Sequence, residues 1–577
     1  MGRYRADRIG HGFPVPGPQS PSSGTVMDEI FFLDEPAWQA ARTAGDYDLV
    51  VIGSGFCGYA VAQRALARDP RTRILMLERG GYFLPEHFQN LPGPFADTLS
   101  SQTETFPWTL SRVTAEGRAG GYLRWQHGMV PFFGGRSILW SAWCPRPSAA
   151  EMTGWPQAVI DAATRGFGAA EALLRVQSAD RIDPELPGEE TGRLGRPVYG
   201  ALQRRLQTLL QAAPAEVPGV YRAEPAPLAS NAKVSDRIDF QKFSTPGEIL
   251  TLVEAQARLK AAGLGASLDI AASCIVETIV AQDGVATALT TSRGPVTLGG
   301  AKLVLALGAL PAATLVRTAF DTPEIGRRYC AHFTSTITAR VPKAAFEGAE
   351  PIDGLQLGAA YVAGTAGGYD RQYHMQISAL SDPAPLLNSG TALRYMPDVL
   401  TTASRRQLES ARGYVVLPCA TLGEMEAGGA ATWFRANPAD PDPTTNALLQ
   451  LVESPADRET WDAMDAATFA TLETVLSPGG PADVEYWHGD ADTGVWRPER
   501  PPPALYRNDA TVHDGSTLYL GEAADAPVDL DYRLRGSANV YVTGAALWPR
   551  AGSWNPTLTM VALAIDLADR LVPAAPR

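Results

Sequence analysis

The feature that most limits the fold is a short stretch near the start of the sequence. Tyr47-Asp48-Leu49-Val50-Val51-Ile52 runs straight into Gly53-Ser54-Gly55-Phe56-Cys57-Gly58. An apolar run of that length, closed by glycine, reads as a strand buried on both faces. The three glycines have three separate jobs. Gly53 permits a tight turn, Gly55 lets backbone approach a diphosphate, and Gly58 lets the following helix pack against the strand. That helix is expected over about 58–68, with Val61, Ala62, Ala65 and Leu66 on one face. Its N-terminus would aim free N–H groups at phosphate. A second apolar run, Arg73-Ile74-Leu75-Met76-Leu77-Glu78, completes a βαβ unit. Glu78 ends that strand, where a carboxylate can accept bonds from ribose hydroxyls. These residues point to a dinucleotide and leave flavin and nicotinamide equally open.

Bulk properties remove other classes. A chain of 577 residues is too long for one simple core, so two or more domains are expected. A net charge of −13 opposes nucleic acid as a partner, because phosphate binding needs a basic field. Cys57, Cys144, Cys274, Cys330 and Cys419 are scattered and form no CxxC pair, which supports neither a disulfide framework nor a metal site. Residues 1–24 are basic and proline-rich without an apolar core, unlike a secretory signal. The longest apolar stretch, 303–316, contains Pro311 and is too short to span a bilayer. A cytoplasmic protein without a membrane partner is the expectation; oligomeric state is not legible.

Along the chain, residues 1–27 read as an arm, with folded structure beginning near Asp28 and Glu29. Residues 83–150 are irregular and rich in aromatics and glycine, Gly134-Gly135 among them. Leucine spacing predicts helices over 200–215 and 246–262. Alternation over 267–305 predicts a small antiparallel sheet, ending in a buried strand, Lys302-Leu303-Val304-Leu305, that turns at Gly308. Residues 350–505 carry no nameable motif. The C-terminal part gives a strand, Asn539-Val540-Tyr541-Val542, then a loop and an apolar helix over 557–571.

Four segments in order carry a family resemblance. The glycine loop with Leu77-Glu78-Arg79-Gly80-Gly81 is followed by Gly134-Gly135-Arg136-Ser137-Ile138-Leu139-Trp140, then Leu305-Ala306-Leu307-Gly308-Ala309-Leu310, and last Ser553-Trp554-Asn555-Pro556-Thr557-Leu558-Thr559. Together these resemble the glucose–methanol–choline (GMC) oxidoreductases, over about 46–150, 235–335 and 505–577. The resemblance implies an α/β fold, with a Rossmann-like FAD-binding domain and an interleaved α+β substrate domain on an antiparallel sheet. The implied division is an N-terminal arm over 1–45, FAD-binding parts over 46–150 and 235–345, substrate-domain parts over 151–234 and 346–505, and a shared catalytic part over 506–577. The implied FAD-binding residues are Gly53, Ser54, Gly55, Phe56, Cys57, Gly58, Glu78, Arg79, Gly134, Gly135, Ser137, Trp140, Gly308, Ala309, Pro556 and Thr557. The Asn-Pro-Thr end is most similar to pyranose oxidases. In those enzymes a histidine tethers the flavin covalently; Leu139 occupies that position here, which implies non-covalent FAD.

Oxidising an alcohol by hydride transfer needs a group to take the hydroxyl proton, and a neutral imidazole suits it. Of seven histidines, His513 is the candidate: Val512-His513-Asp514-Gly515-Ser516-Thr517 resembles the family's His-x-x-Gly-Thr, with Ser516 in the glycine's place. Asn555 stands where the family has a second His or Asn, and would hold the substrate hydroxyl while staying neutral. His332 matches a segment where histidine is usually structural. His488, beside Tyr486 and Trp487, fits either a substrate cavity or an aromatic cluster, and His127 is similarly open. The expected activity is oxidation of a CH–OH group of a sugar, glycoside or other alcohol, with electrons passed to oxygen or another acceptor. Alternatives are a lyase of the same fold using His513 without net redox, a nicotinamide-dependent dehydrogenase, and a flavin-binding protein without catalysis.

Overall fold

The apolar run after Tyr47 does form a strand, Leu49–Ile52, and every residue in it is buried. The computed structural model describes residues 30–91, 122–125, 130–182, 198–231, 241–322, 324–397, 403–429, 431–437, 439–440, 442, 446–490 and 493–575. His11 and His127 lie outside them, as does the expected start of folded structure at Asp28 and Glu29. Leu49–Ile52 is the middle strand of a five-stranded parallel sheet. Ile74–Leu77 pairs on one side and Lys302–Leu305 on the other. Leu268–Ala271 and Val540–Val542 form the two edges. Leu268–Ala271 therefore leaves the small antiparallel sheet that alternation suggested; only Val276–Gln282, Val285–Thr291 and Val296–Thr297 make that sheet. Its residues Leu268 and Ile270 alternate as a hairpin strand would, so periodicity alone could not assign the sheet.

Helices cover this sheet. The glycine-loop helix spans Phe56–Arg68, starting two residues before the expected position. It packs along the C-terminal helix, Thr557–Leu571. Arg64 clamps the two by paired bonds to Asp569 at 2.6 and 2.9 Å. Gln157–Leu174 lies against the other side of the C-terminal helix, at a crossing where a Cβ on Gly166 would meet the Ala562 carbonyl at 2.9 Å. Thr245–Ala261 and Ala201–Leu210 match the predicted helices. Residues 30–45, within the expected arm, include a helix, Glu35–Ala44, capped by the Asp34 side chain. Trp38 of this helix is fully buried, its indole N–H donating to the Arg293 carbonyl.

The motif-poor middle joins flanking segments in a second, mostly antiparallel sheet of eleven strands among the described residues. Its central strands are Arg507–Gly515, Cys330–Pro342, Tyr414–Glu424, Gln372–Ser381 and Gln356–Thr365, in that order. Gln372–Ser381 is buried throughout, although Gln372, His374, Gln376 and Ser378 alternate along it. A polar stripe covered in this way must find partners inside the protein or face a cavity. The five cysteines are buried and unbridged. Among the described residues no helix is long and apolar enough to cross a membrane, and no cluster could hold a metal ion.

Candidate active site

One cavity of about 510 Å³ lies where the strand ends of the parallel sheet meet the larger sheet. Its first wall is the glycine loop. Gly53 sits at φ +102°, and a Cβ there would come within 2.5 Å of the Ala306 carbonyl. A Cβ on Gly58 would strike the Gly53 carbonyl at 2.0 Å, so this glycine serves helix packing and does not line the cavity. Gly55 differs. A Cβ there would meet nothing closer than the Gly134 carbonyl at 4.0 Å, so no protein atom demands glycine at that position. The space is left for something else to approach the backbone.

Three helix N-termini face this cavity. Gly55 precedes Phe56–Arg68, Gly308 precedes Ala309–Ala319, and Pro556 precedes Thr557–Leu571; all three lining residues begin helices of eleven residues or more. Gly308 is at φ +83° with open space on its Cβ side. Three such ends present unpaired N–H groups and partial positive charge to one volume, which favours anionic ligand groups.

Glu78 is buried at the loop's edge, and burial pushes its carboxyl pKa up against the bonds it accepts. One oxygen takes the Ser54 N–H and hydroxyl, at 3.0 and 2.5 Å; the other takes the Gly80 N–H at 2.9 Å. A carboxylate has about four acceptor sites, so it can hold the loop and still accept from a ligand. Arg79 lines the cavity and pairs with Asp442 through both terminal guanidinium nitrogens. Gly134 and Ser137 sit one layer back. The Gly134 N–H donates to the Ser54 hydroxyl, and Ser137 bonds the Gly134 carbonyl and Thr245. Gly135 and Trp140 reach the cavity, Trp140 edge-on to Phe56 with its N–H on the Phe243 carbonyl. Leu139 is also in the wall. Cys57 packs toward the Met560 carbonyl, and burial lifts its thiol pKa to about 12, so it behaves as a small apolar residue.

The opposite wall carries His513. The pairing of Arg507–Gly515 with Cys330–Pro342 slips between Val512 and Gly515, leaving one extra residue on the His513 strand. His513 takes φ +61° within this bulge. A bulge re-aims the side chain it contains, and a histidine in the left-handed region is uncommon. Ser516, where the sequence resemblance leads one to expect glycine, itself adopts φ +60°, so the position keeps the backbone that glycine would favour. The Thr517 hydroxyl then donates to the Ala309 carbonyl, tying this segment to the second helix N-terminus.

Asn555 lines the same cavity and is 3% exposed. Its Oδ1 accepts from Gln376 Nε2 at 2.9 Å, which leaves Nδ2 as the donor. Gln376 also reaches His374 Nε2 at 3.1 Å. The sequence reading missed Gln376, although the alternating polar stripe was a usable signal. Arg136 and Asp514 were missed as well; both line the cavity, and burial lowers the Arg136 pKa against the attraction of Asp514. His488 bonds the Glu499 carbonyl on a hairpin held by Trp487 and Trp496, away from the cavity. His332 stands directly behind His513, their Nδ1 atoms 2.9 Å apart.

Residues 434–564 match the GMC oxidoreductase family model, over its C-terminal domain. That stretch includes His513, Asn555 and the first half of the C-terminal helix. A pyridoxine 4-oxidase of Microbacterium luteolum is 30% identical over 115 residues, which is 20% of this chain and 21% of that protein. The matched part thus spans about a fifth of the relative. The crystal structure of a pyridoxine 4-oxidase from Mesorbium loti superposes with a TM-score of 0.54 at 17% identity, covering 91% of this chain and 99% of that one. The likeness establishes a shared mixed α/β fold.

Proposed function

We propose that this chain is an FAD-dependent GMC oxidoreductase that oxidises a CH–OH group, with His513 as the base. The observation that carries this reading is convergence. His513 and Asn555 line the cavity that the glycine loop opens into, although some 450 residues of chain separate the loop from His513. The residues fit FAD. Gly55 and the three helix N-termini would receive the diphosphate and the polar edge of the flavin ring, and Glu78 the ribose. Gly135, Trp140, Ala309, Pro556 and Thr557 would line the rest. Leu139 offers no nucleophile, so the cofactor would be held non-covalently. When bound, FAD supplies a two-electron acceptor that takes hydride at N5.

The chain's own groups handle the proton. A substrate O–H donates to the His513 ring, while its oxygen accepts from Asn555 Nδ2. Gln376 keeps that amide from turning its oxygen toward the substrate. Around the histidine, Asn508 Nδ2 donates to the Thr334 and Thr336 hydroxyls, and Ala420, Leu422 and Val512 form an apolar strip. A polar alcohol with one apolar face suits such a wall. Two substrate classes follow: a sugar or glycoside, from the pyranose oxidase-like Asn-Pro-Thr end, and a hydroxymethylpyridine, from what the two relatives are named for.

The test is anaerobic mixing of the purified holoprotein with D-glucose, pyridoxine and simple primary alcohols, followed by flavin absorbance. Bleaching by at least one, with FAD released on denaturation, is expected; re-oxidation in air would separate oxidase from dehydrogenase. A protein that neither carries flavin nor can be reconstituted with it overturns the reading. Substrate loss without bleaching would instead favour the lyase. His513→Ala should keep FAD and lose most of the reduction rate, by about 10²-fold or more.

A further inference from the structure

We infer that His332 is a positioning residue that fixes His513 as the Nδ1–H tautomer, so that its Nε2 lone pair is the one offered to the substrate proton. This rests on the reading of His513 as the base, and the argument is one of donors and acceptors. His332 Nε2 lies 2.7 Å from the Gly552 carbonyl oxygen. A carbonyl only accepts, so His332 Nε2 bears the hydrogen. A neutral imidazole has one N–H, which makes His332 Nδ1 an acceptor. His513 Nδ1 is 2.9 Å from it and must be the donor. The opposite tautomer would set two lone pairs against each other at that distance. Once His513 has taken the substrate proton, the same Nδ1–H bond becomes charge-assisted and stronger.

The surroundings keep His332 in this state. It is 1% exposed, and burial holds its pKa down to about 4, so it does not compete with His513 for the proton. Gly552 is gripped from both sides, its N–H donating to Glu424 Oε1 at 3.0 Å while its carbonyl accepts from His332. Glu424 is the cross-strand partner of His332 and is paired with Arg550. Among the described residues, other charged or titratable groups near the pair include Asp514 on the His513 strand, Arg136 and Tyr329 near Asp514, Cys330 beside Ser516, and His374, whose ring lies 6.4 Å from that of His332. Glu424 is taken up by Arg550 and the Gly552 N–H, and the atom facing His513 Nδ1 is an imidazole nitrogen, so a neutral imidazole does the work that an orienting carboxylate does in other base sites.

The experiment is stopped-flow flavin reduction across pH on the holoprotein, with the panel alcohol that reduces the wild type fastest. His332→Leu should retain FAD, reduce it about tenfold or more slowly, and show its acid limb moved to lower pH, because the protonated base has lost an acceptor. His332→Asn places an amide oxygen near the former Nδ1 and should recover most of the rate. His332→Gln, whose amide reaches the Gly552 carbonyl instead, should not. A wild-type rate and profile in His332→Leu overturns the inference. If that variant does not fold, equal rates in the Asn and Gln variants, or a faster Gln variant, overturn it. Failure of the base reading is distinct: His513→Ala would then reduce flavin normally.

Discussion

Gly53 and Gly55 stand two residues apart and should fail differently when given a methyl group. At Gly53 the added carbon would collide with the Ala306 carbonyl at a positive φ. Gly53→Ala is therefore expected to cost about 1–3 kcal/mol of stability and to lower the thermal midpoint. At Gly55 the carbon enters open space. Gly55→Ala should melt as the wild type does yet purify with less FAD, read as the ratio of flavin to protein absorbance. Equal flavin content in both proteins would remove Gly55 from the cofactor's path. The tight turn at Gly53 was legible in the sequence because its need is local, whereas the open space at Gly55 only supports its proposed role. The partners of His513 were not legible. His332 lies in another strand, and only a register slip brings the two rings together. Gln376 was recorded in the sequence as part of a period-two polar stripe, but the stripe acquires meaning only when its strand is covered on both faces.

Elements with strong periodicity or glycine punctuation were read within a few residues, among them the βαβ unit and the C-terminal helix. The helix Glu35–Ala44 escaped because it offers little apolar surface: Trp38 and Ala41 are its only buried residues. Its main buried anchor is that indole, which bonds Arg293 through its N–H and carries the Arg293 guanidinium over its ring at 4.9 Å; Glu35 and Arg42 add exposed contacts to Arg293 and the Pro295 carbonyl. Trp38→Ala should cost about 3–5 kcal/mol and expose residues 30–45 to limited proteolysis before the remainder of the chain. Digestion at the wild-type rate would show that the helix is held elsewhere. The eleven-stranded sheet escaped for a different reason. Its strands pair across large separations, and each sequence segment shows only its own alternation, not its neighbour's.

At the scale of the whole molecule, burial on both sides of the cavity sets a pH response. Glu424 is buried on the strand beside that of His332, and desolvation raises its pKa to about 7 despite Arg550 and the Gly552 N–H. Unfolded, the same carboxyl titrates near its ordinary value of 4.5. Between those values the folded chain binds more protons than the unfolded one, so this group's contribution to stability falls as pH rises from about 4.5 to 7. A glutamine lacks that dependence. Urea denaturation of wild type and Glu424→Gln at pH 5 and pH 8 should therefore show the midpoint difference moving in the variant's favour at the higher pH. A constant difference would mean that Glu424 ionises alike in both states.

The edge strand Val540–Val542 and the C-terminal helix come from the far end of the chain, yet they complete the sheet and the cavity that the first hundred residues begin. Order of synthesis then matters. A nascent chain emerging from the ribosome displays the glycine loop long before it has His513, Asn555 or the third helix end. Until those residues arrive the loop has no opposite wall. If the site holds FAD as proposed, its capture by the assembled site would be a late event of biogenesis, and a prematurely terminated polypeptide would present half a cradle with nothing to close it.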